Sequence, residues 1–238
     1  MVQQSLEGVY VLSKMRLKYS KEDPVKYISH LDLLRTFNRA IKRAGLPIAY
    51  SQGFNPHPLI SFGLPLSVGV TSETEYMDIE LQTAVAPQVV IEQLNKVLPQ
   101  GIKILAAMEL GNKKDKLGSA IVWADYRVEV DLKIRLDINL AEHLENLLKS
   151  NELIINKEGK KGVKQVDILP QIHSLNIEEQ KEKTVVFTMR LSAGSLSNLK
   201  PEMVLQAMEK YIEGFEVDFA KIHRVRLLNK DHRNIAKI

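Results

Sequence analysis

The chain has 238 residues, of which 45% are hydrophobic and 26% are charged, and its formal net charge is +4. This composition is typical of a globular protein with enough apolar residues for one large core or two small ones. The absence of cysteine excludes disulfides, a thiol nucleophile and any cysteine-ligated zinc or iron–sulfur site from this chain. No apolar run approaches the roughly 20 residues of a transmembrane helix, and the N-terminus lacks a signal-peptide pattern. We therefore expect a cytoplasmic protein with no membrane partner.

The first half of the sequence predicts the element order β-α-β-β-α-β. Strands are predicted from alternating or β-rich segments, and two helices from caps, prolines and helical spacing of apolar residues. After a lead-in at residues 1–13, the predicted strands lie at 14–20, 48–51, 59–62, 75–82 and 102–108, with helices beginning at Ser29 and Pro87. This order is the ferredoxin-like arrangement.

The helix after Ser29 has the clearest start and stop signals in the chain. Ser29 is a predicted N-cap, Asp32 places negative charge in the first turn, and Gly45 with Pro47 ends the helix. The apolar residues at helical spacing predict a core face made of Leu34, Phe37, Ile41 and Ala44.

The second half repeats the order of the first after a charged, turn-rich linker at residues 112–118. Helices are predicted from Asn139 and Pro201, and strands at 126–134, 152–157, 166–169, 172–177, 184–191 and 219–228. We therefore predict an α+β fold with two tandem ferredoxin-like (β-α-β-β-α-β) units, one at 14–111 and one at 119–238. The lone Trp123 is expected to pack at the interface between them.

Positive charge is concentrated around the first helix. Residues 14–63 hold nine lysines and arginines against three acids, whereas residues 64–111 hold six acids against two lysines. Four of the cations fall on one side of the helix and would suit contacts to phosphate: Arg35, Arg39, Lys42 and Arg43. An ordinary solvated basic face accounts for the same pattern.

Two loops carry polar side chains on backbone paths set by glycine and proline. Residues 51–58 (SQGFNPHP) bring together amides that read base edges and a ring that stacks on bases, so this loop is a predicted substrate or partner contact. Its candidate residues are Ser51, Gln52, Phe54, Asn55 and His57. Phe54 fits equally well as a plug in the core beneath the loop. Gly194 and Ser195, just before the helix at Pro201, form a possible phosphate loop without a P-loop lysine motif.

His30 and His57 are the candidates for catalysis if the protein is an enzyme. Two imidazoles near a basic helix can act as general acid and base on a phosphodiester. The plainer interpretation is that His30 extends the helix cap and His57 fills a loop. Together with Asp32 their spacing matches no familiar zinc pattern, so we predict no metal and no cofactor.

Three segments carry a resemblance to a known family: YISHLDLLRTFNRAIKRAGLPIAYSQGFNPHPLISFGLPLSVGVTSETEYMDIEL, VDILPQI and LSAGSLSNLKPEMVL. They resemble the radical-SAM-linked (radical-SAM-associated) domain family of uncharacterised function. Members of that family are fused to, or encoded beside, radical-SAM proteins, which implies a helper or substrate-presenting role. Because a radical-SAM cluster needs three cysteines, this chain is not itself the radical enzyme.

A looser resemblance links HLDLLRTFNRAIKRAGLP and the order of elements to the tandem ferredoxin-like CRISPR RAMP endoribonucleases, and implies RNA as a ligand. We expect a non-catalytic RNA- or substrate-binding adaptor that works with a separate radical-SAM enzyme. One alternative is a metal-independent endoribonuclease or RNA-modifying enzyme that uses His30 and His57. Another is a protein–protein scaffold without RNA contact.

Overall fold

A single mixed sheet is the main feature of the computed structural model, which describes residues 13–111, 116–159 and 162–236. The strands are β1 (Ser13–Lys21), β2 (Ile60–Phe62), β3 (Thr71–Leu81), β4 (Ile102–Glu109), β5 (Trp123–Leu132), β6 (Ile154–Gly159), β7 (Gly162–Asp167), β8 (Ile172–Lys181), β9 (Thr184–Ser192) and β10 (Val217–Leu228). The helices are α1 (His30–Arg43), α2 (Pro87–Val97), α3 (Leu117–Ala120), α4 (Leu140–Leu148) and α5 (Pro201–Tyr211). The protein has a mixed α+β fold.

Each half of the chain contributes one part of the sheet. The sheet order is β4-β1-β3-β10-β5-β9-β8, with β2 beside β3, and pairing within each half is antiparallel. The halves join where β3 and β10 run parallel through the pairs Thr71–His223 and Ser72–Arg224. We call this junction the seam. Strands β6 and β7 form a separate hairpin outside the sheet.

One face of the sheet is covered by α1, α2, α4 and α5. Met77, Ile79 and Leu81 of β3 pack with α1 and α2, whereas Val128 and Val130 of β5 pack with α4 and α5. Alternation along each strand sends the intervening residues to the opposite, open face. Next to β2 and β3, part of this second face is covered by α3. A Cβ placed on Gly63, the residue after β2, would lie against the side chains of Leu117 and Ile121.

Several predicted boundaries differ from the structure. β3 begins at Thr71 rather than at residue 75, and segment 48–51 forms only isolated bridges through Ile48 and Tyr50. Of the predicted linker, residues 112–115 lie outside the described residues, and Leu117 begins α3. The predicted lead-in lies outside them as far as residue 12, and Ser13 already belongs to β1. No helix among the described residues has the length and apolarity needed to cross a membrane.

Candidate nucleic-acid interface

α1 begins at a well-formed cap. The Ser29 hydroxyl accepts a hydrogen bond from the Asp32 backbone N–H at 3.2 Å and donates to Asp32 Oδ2 at 2.8 Å. Asp32 Oδ1 also accepts from Arg35 Nη1 at 2.9 Å. The Ser29 hydroxyl and then Arg35 lower the pKa of Asp32 below its ordinary value. The first turn of α1 is therefore fixed by side chains.

The core face of α1 is rotated slightly from the predicted one. The buried residues are Leu33, Phe37, Ala40 and Ile41, while Leu34 and Ala44 are only half-buried. Phe37 packs edge-on against the rings of Tyr19 and Phe62, with centroid distances of 5.1 and 5.8 Å. These aromatic contacts hold α1 on the sheet and leave its opposite side in solvent.

The α1 flank, defined as Arg35, Arg39, Lys42 and Arg43, is exposed along its whole length. Arg35 pairs with Asp32, and Arg43 Nη2 donates to the Val97 carbonyl oxygen at the end of α2 at 2.7 Å. Arg39 and Lys42 form no ion pair with any described residue. The flank therefore combines two anchored cations with two that remain available to an anion.

The loop at 51–57 is closed by contacts at its base. Tyr50 and Pro58 form a β-bridge, and the Ser51 N–H donates to the His57 carbonyl oxygen at 2.9 Å. The Ser51 hydroxyl lies 2.8 Å from His57 Nδ1 and accepts from the His57 backbone N–H at 3.1 Å. Ser51 and His57 thus hold the loop shut, which gives both side chains a structural task.

The tip of this loop points into solvent. Gln52, Phe54 and Asn55 are exposed, and Phe54 has a relative accessibility of 105%. Gly53 has φ +121°, a conformation that favours glycine, and no heavy atom lies within 4 Å of its Cβ position. The core-plug interpretation of Phe54 does not hold, and the ring is available for a partner.

His30 and His57 have different surroundings. The His30 ring packs on Phe62 at 5.1 Å, on the helix-covered face. His57 lines a shallow pocket of about 120 Å³ with Lys14, Asp78 and Glu80, whose alternation along β1 and β3 places them toward the open face. Within the described ranges no hydrogen bond or ring contact joins the two imidazoles, and no group of three or more metal-ligating side chains forms.

Gly194 and Ser195 belong to an open pocket of about 780 Å³ between β6, β7 and the start of α5. Ser195 is exposed there, with Lys157 and Lys200 among the lining residues. Gly194 has φ +110°, and a Cβ on it would lie 2.2 Å from the Ile121 carbonyl oxygen. Close backbone packing therefore accounts for Gly194.

A buried ionic cluster at the seam was not predicted from the sequence. Arg224 Nη1 donates to both carboxylate oxygens of Glu75, at 2.9 and 3.0 Å, and Arg224 Nε donates to the Tyr126 hydroxyl at 3.3 Å. Glu75 and Lys21 each have a relative accessibility of 1%. Glu75 lies beside Tyr19 in the β1–β3 register, so the cluster faces the helices.

Burial and mutual attraction set the protonation of this cluster. Burial raises the pKa of Glu75, and the charge of Arg224 opposes that rise. Burial also disfavours the Arg224 cation, but Glu75 and Tyr126 together raise its pKa above the ordinary value. Burial lowers the pKa of Lys21, whose Nζ donates to the Lys26 carbonyl oxygen at 2.9 Å. The cluster joins the two halves of the chain beneath the helices.

Three solved structures are weakly similar to this chain. A Cbf5-Nop10-Gar1 complex and an H/ACA RNP bound to a substrate RNA containing 2'-deoxyuridine each match at a TM-score of 0.45 and 10% identity. An archaeal box H/ACA sRNP Nop10-Cbf5 complex matches at 0.43 and 11% identity. Each match covers 92% of this chain, but only 50%, 49% and 49% of the respective matched chains, so this chain spans about half their length. No curated protein matches the chain significantly.

The family assignment rests on the sequence itself. A family model described as an uncharacterised protein conserved in bacteria matches residues 14–201, which extend from β1 to the first residue of α5. The matched region includes the α1 flank, the loop at 51–57 and Glu75 of the seam. The chain belongs to the DUF2344 family of uncharacterised proteins conserved in bacteria.

Proposed function

We propose that the protein is a non-catalytic RNA-binding adaptor and that the α1 flank is its contact to the phosphate backbone. The observation that carries this proposal is the pair Arg39 and Lys42, which are exposed beside two anchored arginines and form no ion pair with described residues. Phosphates are bound mainly by such cations, which release counterions when they dock. Arg35 and Arg43 add charge and orient the surface.

The loop at 51–57 would supply contacts beyond the phosphates. Its closed base presents Gln52 and Asn55, whose amides both donate and accept hydrogen bonds, and the exposed ring of Phe54. Unpaired bases in single-stranded RNA stack on such rings and offer their edges to amides. A protein partner with an apolar pocket for Phe54 would use the same loop.

A radical-SAM enzyme is the proposed protein partner. The support is the sequence resemblance over 27–81, 166–172 and 191–205, together with a cysteine count of zero. Residues 1–238 contain no cysteine and cannot themselves hold a cluster that needs three. The adaptor would then hold RNA, or another substrate, for an enzyme that it cannot replace.

We also propose that 14–111 and 119–238 are two ferredoxin-like units that share one sheet. The strand orders β4-β1-β3-β2 and β10-β5-β9-β8 support this, because each places the first strand of a half between its third and its last. In this scheme the β6–β7 hairpin is an insertion in the second unit. The duplication would place α1 and α4 at equivalent positions, and of these α1 carries the basic flank.

The test is RNA affinity as a function of salt, measured by fluorescence anisotropy with the full chain. The slope of log K against log salt for single strands is about 0.7 per neutralised phosphate, so Arg39→Ala/Lys42→Ala should lower its magnitude by about 1.4. The charge-matched control is Lys149→Ala/Lys181→Ala, which removes two exposed cations outside the flank. An unchanged slope in the flank variant, or equal losses in both, would refute the proposal.

If the protein has no measurable affinity for RNA and binds a protein partner with an affinity that does not change with salt, it is a protein–protein scaffold. The endoribonuclease alternative is tested in parallel by turnover of the bound RNA. If the wild type cleaves RNA and His57→Ala binds it normally without cleavage, the non-catalytic assignment is wrong.

A further inference from the structure

Three rings meet on the open face of the second half of the sheet. The ring centroids of Trp123 and His173 lie 5.0 Å apart, those of His173 and His232 also 5.0 Å, and those of Trp123 and His232 5.6 Å. The Trp123 and His232 planes differ by only 10°. Trp123 is half-buried, and both imidazoles are exposed. We call these three residues the ring cluster.

The position of His232 is fixed by a turn that returns from β10. Asn229 Oδ1 accepts from the backbone N–H groups of Asp231 and Arg233 at 2.9 and 3.0 Å, and the Asn229 N–H donates to the Arg233 carbonyl oxygen at 2.9 Å. His232 itself has φ +56°, in the left-handed region that non-glycine residues seldom adopt. The ring is therefore held over Trp123 by a defined backbone path.

The surface beside the ring cluster is positive. Asp125 accepts from Arg190 at 2.6 and 2.9 Å and lies 2.7 Å from Arg226 Nη2, so two guanidinium groups share one carboxylate. These residues line an open pocket of about 350 Å³ that also includes Ser174, the neighbour of His173. The turn that carries His232 adds Lys230 and Arg233 against a single acid. The exposed residues His173 and His232 thus adjoin a surface with excess cationic charge.

We propose that the ring cluster is a stacking platform for the bases of single-stranded RNA, and that Arg190 and Arg226 contact the adjoining phosphates. Every base offers a π face to indole or imidazole rings, and guanidinium groups suit phosphate oxygens. Base-paired RNA hides those faces, so the platform selects unpaired strands. This inference takes RNA as the ligand from the proposed function, but its residues lie away from the α1 flank, on the opposite face of the sheet.

Trp123 makes this site directly observable because it is the single tryptophan of the chain. The full chain is titrated with a single-stranded oligoadenylate and, separately, with an RNA duplex of equal length. The single strand should quench the Trp123 emission in a saturable manner, and the duplex should not. The anisotropy of labelled RNA then gives affinities for the variants.

The double variant His173→Ala/His232→Ala should weaken single-strand binding about fivefold or more, which is the usual effect of losing one stacking side chain. The matched control is His143→Ala, which removes an exposed imidazole of α4. The Arg39→Ala/Lys42→Ala variant separates the two proposals. Loss of affinity only in that variant refutes the platform, whereas loss only in the histidine variant refutes the α1 flank.

Three outcomes overturn the platform. The first is equal quenching by duplex and single strand, and the second is no quenching at all. The third is quenching by Zn²⁺ or Ni²⁺ alone with no response to RNA, which would make the two imidazoles a metal site. A thermal melt of the histidine variant that matches the wild type confirms that a lost affinity does not come from unfolding.

Discussion

Replacing Arg224 by methionine should destabilise the protein more than any surface substitution, because it removes the guanidinium that is hydrogen-bonded to the buried Glu75 and leaves Lys21 as the remaining cation of the cluster. The Arg224 and Glu75 side chains are only 4% and 2% accessible, and they meet through contacts of 2.9 and 3.0 Å. Removing one partner of such a pair costs about 3–5 kcal/mol. Domain stabilities are about 5–15 kcal/mol, so the loss is a large fraction of the total.

The expected pH dependence follows from the carboxylate that remains. In Arg224→Met the pKa of Glu75 in the folded state rises further above its value in the unfolded chain, because burial already raises it and Arg224 opposed the rise. As the pH falls through the raised pKa, the folded protein takes up a proton that the unfolded chain does not bind. The stability deficit relative to wild type should therefore be smaller in mild acid than at neutral pH.

The assay is urea unfolding followed by circular dichroism at both pH values. Arg127→Met is the matched control, because Arg127 pairs with Glu178 at 3.0 Å but both side chains are more than 40% accessible, and it should cost less than about 1 kcal/mol. The double variant Glu75→Leu/Arg224→Met should recover much of the loss. A deficit below 1 kcal/mol, or one independent of pH, would show that the seam pair does not carry the energy assigned to it.

Two further predictions concern the glycines with positive φ and the N-terminal cap of α1. Gly194→Ala should lower the free energy of unfolding in urea by more than Gly53→Ala does. Both positions have a positive φ, which costs alanine about 1–3 kcal/mol of strain, but only a Cβ on Gly194 also lies 2.2 Å from a carbonyl oxygen. Equal losses in the two variants would contradict the packing argument. Ser29→Ala should cost about 1 kcal/mol at neutral pH through the lost α1 cap. The pKa of Asp32 is lowered in the folded state, first by Ser29, so the stability that this carboxylate provides is present above its ordinary pKa and is lost in acid. The Ser29→Ala deficit should therefore shrink in acid, and a constant deficit would show that Asp32 plays no part.

Local sequence signals predicted most of the elements. Alternating residues, prolines and caps located α1, α2, α4 and α5, as well as the long strands, because each signal reports a periodicity or a backbone preference within a few residues. The boundary of β3 was misplaced because Thr71 pairs with β10 and Ser72 pairs with both β10 and Lys21 of β1, and no local pattern reveals such pairing. The slight rotation of the α1 core face has a similar origin: the rings of Tyr19 and Phe62 decide which side is buried.

The sequence likewise predicted one of the sites and missed another. The α1 flank followed from helical spacing alone, and the structure leaves all four of its cations exposed. The seam cluster was missed although a signal existed, because Lys21 and Glu75 continue the core-facing alternation of Met15, Leu17 and Tyr19 and of Met77, Ile79 and Leu81. A charged residue at such a register position indicates a buried partner. The identity of that partner, Arg224, required the three-dimensional pairing.

The sequence alone could not predict the ring cluster. Trp123 was expected to pack between the two units, whereas in the structure its ring contacts His173 and His232. Those residues are separated from it along the chain by one or more strands, and His232 depends on a turn in the left-handed region. Only the tertiary arrangement brings the three rings together.

The position of β10 in the sheet has a consequence for the order in which the protein can fold during synthesis. Arg224 and Glu75 are 149 residues apart, yet β10 fills the gap between β3 and β5. Until the ribosome has made residue 228, the edge of β5 and the start of β3 lack this neighbour, and exposed strand edges promote aggregation. Such distant pairing also slows folding, since a long loop must close before the contact forms. Because β10 follows every other strand of the sheet in chain order, the centre of this sheet is completed after its rim.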